Sequence, residues 1–156
     1  MFIEAKNRHY PFVVVPAFWD WLVRAHEAGL VFVPEKAYDE VVAVADELAE
    51  WFKARPRSWR IAATAADQPA LKALSVWVTG QSRFTAGAVS DFLSKADYYL
   101  VAQAATIGCT VVTHETPSPD SKKIVKIPDA CTALGVRYMN PFKMLQVEQV
   151  RFRLST

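Results

Sequence analysis

Apolar positions along the chain switch between two periods, and the switches mark its elements. From Ala17 to Ala28, Phe18, Trp19, Leu22, Val23 and His26 fall at helical spacing, with Gly29 as a stop. Leu30-Val31-Phe32-Val33 is then unbroken apolar, the pattern of a short buried strand, and Pro34 ends it. From Glu35 to about Arg55 the helical period returns. Tyr38, Val41, Val42, Ala45, Leu48, Ala49 and Phe52 share one face, with Glu40, Asp46, Glu47 and Glu50 beside or opposite it, until Pro56. Residues 68–78 and 85–107 predict two further helices, separated at Gly80, with Ser82 or Thr85 as the cap of the second. After Gly108, Thr110 to Thr113 reads as another short strand. The turn-rich run 116–121 leads to a basic stretch, 122–128, that predicts a loop running into a strand. Asp129 to Leu134 is a helical turn closed by Gly135, and Tyr138 to Pro141 an extended link. At the front, Met1-Phe2-Ile3 reads as a strand end or a first helical turn, and Pro11 to Pro16 as a β-branched link. Residues 142–156 show no decisive period.

Short strands alternating with helices predict a three-layer α/β fold, a small and mostly parallel sheet flanked by helices. The chain of 156 residues suits a single domain, and 52% apolar against 22% charged residues marks it as globular. A net charge of +2 gives no strong global field, which leaves only local basic patches for a polyanion. Arg55, Arg57 and Arg60 around Trp59 form one, and Lys122, Lys123 and Lys126 another; each reads equally as a solvated surface. Cys109 and Cys131 sit among apolar neighbours, as reduced buried thiols do. With no apolar run of membrane-spanning length and no leader pattern at the N-terminus, the expectation is a cytoplasmic protein.

Five scattered glycines supply neither a dinucleotide fingerprint nor a phosphate-cradling loop, and no nucleophile elbow occurs. His9, His26 and His114 form no metal-binding pair at helical spacing. Carboxylates remain. Asp97 shares an apolar helical face with Leu93, Leu100, Val101, Ala104 and Ala105, where a charge costs free energy unless partnered. It equally suits the positive end of a helix dipole, and the residues alone leave both readings open. Glu115 closes the strand 110–113, and Glu40 follows the strand 30–33. Ligands of open parallel sheets bind beyond the carboxyl ends of strands, and three acids on one rim suit a hard cation such as Mg²⁺ or Mn²⁺.

The run Asp97-Tyr98-Tyr99-Leu100-Val101-Ala102-Gln103-Ala104, then a glycine, then Val111-Val112-Thr113-His114-Glu115 resembles the second half of a PIN domain. Phe2 to Arg8, Phe18 to Leu22, Asp46 to Trp51, Thr113 to Glu115, and Lys122-Lys123 with Lys126 to Asp129 resemble a PIN-like family long labelled as of unknown function. The likeness spans nearly the whole chain. It implies a Mg²⁺- or Mn²⁺-dependent ribonuclease, often the toxin of a toxin–antitoxin pair and often a homodimer, for which Phe18, Trp19 and Trp21 suit an interface or a core. By resemblance Glu40, Asp97 and Glu115 hold the metal, with a glutamate in the last place where an aspartate is commoner. Thr113 then contacts a metal-bound water or an acid, while Lys122, Lys123, Lys126, Arg57 and Arg60 engage RNA phosphates. Trp59 and Tyr98 either stack on bases or belong to the core. The first acid of the family has no counterpart: it would lie on a strand just upstream of Phe2. The resemblance therefore implies a domain incomplete at its N-terminus, through a start placed late or through true loss. Loss makes the protein a non-catalytic module binding RNA or a protein partner, and a DNA nuclease would use the same metal logic.

Overall fold

The computed structural model describes residues 1–153. Its first helix, α1 (Phe2–Glu4), runs into a π-helical turn, Ala5–His9, closed by Tyr10 N–H on the Ala5 carbonyl at 2.6 Å. Helix α2 (Pro16–Glu27) starts with proline, whose missing N–H and fixed φ suit the first turn. The helix expected over 35–55 is two, α3 (Glu35–Val42) and α4 (Glu47–Lys53). Asp46 splits them: its extended backbone leaves the helix and its Oδ1 accepts the Ala49 N–H at 3.0 Å, starting a new one. Helix α5 (Gln68–Gly80) follows a turn in which Thr64 and Asp67 cap each other reciprocally.

The segment expected as one helix over 85–107 is also two, α6 (Ala86–Ser94) and α7 (Ala96–Ile107), broken at Lys95 by an extended backbone, φ −93° and ψ 163°. Leu93 therefore does not share a helix with Asp97. Thr85 caps α6, as expected, by accepting the Ala88 N–H at 3.2 Å. Gly108, at φ +72°, ends α7 in the left-handed region that a side chain disfavours. The strand expected near 124–127 is absent because Ile127 instead opens helix α8 (Ile127–Leu134), its N–H taken by Glu115. Asn140 caps the last described helix, α9 (Pro141–Val147), over Lys143 N–H at 2.8 Å.

The described strands are very short and all their pairing is parallel. β1 (Val33–Pro34) pairs β2 (Arg60–Ile61), Val33 opposite Arg60; β3 (Val111–Val112) pairs β4 (Tyr138–Met139), Val111 opposite Tyr138. The class is α/β, weighted strongly to helix, and the described strands form two separate pairs where one sheet was expected. The extended link predicted at Tyr138 is thus a strand.

Each pair has its own core. Phe18, Trp19, Leu22, Phe52 and Trp59 lead the first, around β1. Leu74, Val78, Phe92, Val101 and Cys131 lead the second, around β3. Trp19 and Phe18 are thereby core residues, and Trp19 satisfies its indole N–H on the Tyr10 carbonyl at 2.8 Å. Cys131 and Cys109 are free thiols, and burial pushes the Cys131 thiol up to about 12. Between the cores lies a cavity of about 580 Å³, lined by Leu22, Val33 and Val41 on one side and by Leu100, Ala104 and Val111 on the other. No described helix is long and apolar enough to cross a membrane.

Candidate functional site

The N-terminal turn of α7 has free backbone donors, and Lys95 in the cap position offers no acceptor. Glu40 supplies one from α3: its Oε1 accepts the Ala96 N–H at 2.9 Å across 56 residues of sequence. That bond sets Glu40 beside Asp97, which stands half-buried in the same first turn. Burial raises the Asp97 pKa, and the negative charges of Glu115 and Glu40 raise it further, while the N-terminal ammonium and Lys95 pull the other way. Glu115 and Glu40 therefore act on Asp97 although the sequence scatters the three acids over three elements.

Glu115 is held by its neighbours. Thr113, 2% exposed, donates its N–H to the Met139 carbonyl at 3.0 Å, and its Oγ1 accepts the Glu115 N–H at 3.1 Å. Glu115 Oε2 accepts the Ile127 N–H at 2.8 Å and Oε1 pairs with Lys126 Nζ at 3.5 Å. Thr113 thus fixes the turn that aims Glu115, and its hydroxyl is already engaged in doing so. Asp97 and the second oxygen of Glu40 have no hydrogen-bond partner among the described residues.

Two cations of the cleft were not anticipated. The Met1 ammonium feels the charges of Asp97, Glu4 and Glu115, though burial, the larger effect, lowers its pKa. Lys95 pairs with Asp91 at 2.6 Å; that hydrogen bond raises its pKa, and Asp97 and Glu40 add to it. Its place directly before Ala96-Asp97 was the available signal. Gln103, 4% exposed, was also missed; its Nε2 donates to the Ile61 carbonyl at 3.3 Å and ties α7 to β2 on the cavity wall.

The basic residues divide. Lys126 joins the cleft through Glu115, and Lys122 and Lys123 are exposed on the loop before it. Arg83 holds that loop, donating to the Pro119 carbonyl and lying 3.7 Å from Asp129, whose Oδ1 accepts the Ser118 N–H. Arg57 is exposed, and the Arg60 guanidinium lies 4.3 Å over the Tyr38 ring. Neither makes an ion pair with the three acids among the described residues. Trp59 is 1% exposed, and the Tyr98 hydroxyl donates to the Leu71 carbonyl at 2.7 Å, so both belong to the core. His114 stacks on His9 with ring centroids 4.5 Å apart; burial lowers its pKa, and the neighbouring imidazole lowers it further.

Chemically the cleft offers carboxylate oxygens and nearby ammonium groups at the carboxyl ends of β1 and β3. Among the described residues no three His, Cys, Asp or Glu side chains stand close enough to enclose a metal ion. Mg²⁺, which keeps several waters and takes only one or two carboxylates, asks for less than an enclosing set. The model of a family described as a domain of unknown function, DUF4411, matches residues 1–152. No curated protein and no solved structure matches the chain.

Proposed function

The chain belongs to the DUF4411 family, and we propose that within it the cleft of Glu40, Asp97 and Glu115 is the centre of a metal-dependent ribonuclease on a three-layer, PIN-like fold. The observation that carries the reading is geometric: Glu40 caps the first turn of α7 at Ala96 and so stands beside half-buried Asp97, whose pKa burial and the charges of Glu115 and Glu40 raise. A fold that gathers negative charge in a half-buried place loses stability by doing so, which is the signature of a site. The PIN resemblance extends the proposal to a toxin that an antitoxin protein neutralises.

Asp97, Glu40 and Glu115 would hold Mg²⁺ or Mn²⁺, which when bound supplies an activated water and stabilises charge on the phosphate. The residues do the positioning. Glu40 is fixed by the α7 amide it caps, and Glu115 by Thr113 and the α8 amide. Lys126 can exchange Glu115 for an RNA phosphate, with Lys122 and Lys123 extending a salt-dependent track along the loop. Arg57 and Arg60 would serve a more distant part of the strand.

A second reading has its own support: the first acid of the resembled family has no counterpart here, and among the described residues the three acids are not grouped closely enough to enclose an ion, which suits a module that binds RNA or a protein without cutting. Cleavage of a structured RNA in Mn²⁺ or Mg²⁺ separates the two. The nuclease reading expects products that vanish with chelator and with Asp97→Asn. RNA binding with no cleavage in either metal, unaltered by Asp97→Asn, establishes the module instead.

A further inference from the structure

Helix α2 ends in a turn that brings the following chain back onto its last residues. Gly29, at φ +74°, donates its N–H to the His26 carbonyl at 2.8 Å, and the Leu30 N–H returns to the Ala25 carbonyl at 2.8 Å. This reversal sets the Val31 carbonyl 2.9 Å from His26 Nδ1. A carbonyl can only accept, so in the neutral imidazole Nδ1 carries the proton and Nε2 keeps a lone pair. Ser58 Oγ stands 3.1 Å from Nε2, across 32 residues of sequence, and its O–H donates to that lone pair.

The two side chains differ in access. His26 is 9% exposed, and its ring is fixed against Trp59, with centroids 4.7 Å apart, and edge-on to Phe32 at 6.0 Å. Ser58 is exposed, in a 3₁₀ turn, Arg57–Trp59, that the Trp59 N–H closes on the Pro56 carbonyl at 3.1 Å. The Ser58 N–H donates to no backbone carbonyl among the described residues, which leaves a donor on the same residue as the hydroxyl. Water competes for an exposed hydroxyl, so its bond to His26 adds little to stability. What the arrangement does supply is a nucleophile in reach of a base that a third group orients.

We propose that Ser58 and His26 form an acyl-transfer site for anionic esters. Ser58 Oγ attacks the ester carbonyl carbon while its proton passes to His26 Nε2. The carbon–oxygen bond to the leaving group then breaks, His26 gives it the proton, and an alcohol departs from acyl-Ser58. Water repeats the sequence with the same base, releasing the acid and restoring the serine O–H. The Val31 carbonyl holds the productive tautomer but lends no negative charge to the imidazolium, unlike a buried carboxylate in its place. Esters, whose leaving groups depart readily, therefore suit the site better than amides. Arg57, adjacent and exposed, makes no ion pair among the described residues and supplies the charge that selects an anionic acyl group.

The pair shares no hydrogen bond with Glu40, Asp97 or Glu115 and needs neither metal nor RNA, so it stands or falls separately from the ribonuclease reading. A phosphonofluoridate, which loses fluoride to an activated serine, tests it by mass spectrometry. The parent chain is expected to take up one probe, on Ser58, and Ser58→Ala none. His26→Gln is expected to react about a hundredfold more slowly. No uptake by the parent, or uptake at other residues with Ser58 unmodified, overturns the proposal, as does an unchanged rate in His26→Gln. Should His26→Gln fail to fold, Ser58→Cys decides: the new thiol is expected to alkylate with iodoacetamide faster in the folded protein than in urea, and an equal or slower rate overturns the activation by His26. Nitrophenyl succinate, an anion, is expected to turn over about tenfold faster than nitrophenyl acetate, an advantage lost in Arg57→Gln. Equal turnover of the two esters by the parent overturns the anionic class.

Discussion

Because burial and two neighbouring acids raise the pKa of Asp97, the folded protein binds that proton more tightly than the unfolded chain does. Below the ordinary aspartate value of about 3.9 both states are protonated and the residue is neutral toward stability. As pH rises through the raised folded value, the fold comes to carry a charge it disfavours, and stability falls. Asp97→Asn is therefore expected to melt above the parent at pH 7, with the gap closing near about pH 3 in paired calorimetric scans. Excess Mg²⁺ is expected to raise the melting temperature of the parent and leave that of Asp97→Asn unmoved. Glu40 contributes in the opposite sense, as the cap of another helix. Glu40→Ala is expected to cost about 1 kcal/mol in urea titration, and Glu40→Gln, which keeps an acceptor oxygen, much less.

At the scale of elements, the site depends on where helices stop. Asp46 ends one helical run and starts the next; Lys95 breaks the run that carries Asp97. Had residues 85–107 formed one helix, the Ala96 amide would have been spent on a carbonyl within it, and Glu40 would have no donor to reach. Gly108 then turns the chain from α7 into β3 at φ +72°, with open space where a side chain would stand. The cost of Gly108→Ala is thus conformational alone, about 1 kcal/mol of stability, while Gly108→Asn is expected to lose less. The difference between the two variants in denaturant midpoint checks this.

Over the whole molecule, two cores separated by a cavity predict two levels of unfolding. Phe52 is fully buried in the first core. Phe52→Ala is expected to cost about 3–5 kcal/mol. Native-state hydrogen exchange is expected to show the loss concentrated in α2, α3 and α4, with α5, α7 and α8 retaining protection, because Phe52 packs within the first core and not the second. A uniform loss across both halves would show instead that they unfold as one.

The α/β class, the helices near 17–28 and 68–78 and the Thr85 cap were legible in the chain, because each is written in local spacing. Helical period, a capping hydroxyl or a strand-ending proline acts through residues within a turn of one another. The Asp46 break was half legible, since an aspartate before Glu47-Leu48-Ala49 is a capping pattern even inside an apolar stripe. The interruption at Lys95 and the Met1 ammonium had no such local mark. Sequence alone determined which residues carry charge and which faces are apolar. Only tertiary structure decided that Glu40 caps α7, that Thr113 and Ile127 hold Glu115, that Trp59 and Tyr98 are core, and that the described strands fall into two pairs beside a cavity. Those outcomes rest on hydrogen bonds and burial between residues dozens of positions apart, and such pairings are fixed by packing, which no local pattern encodes.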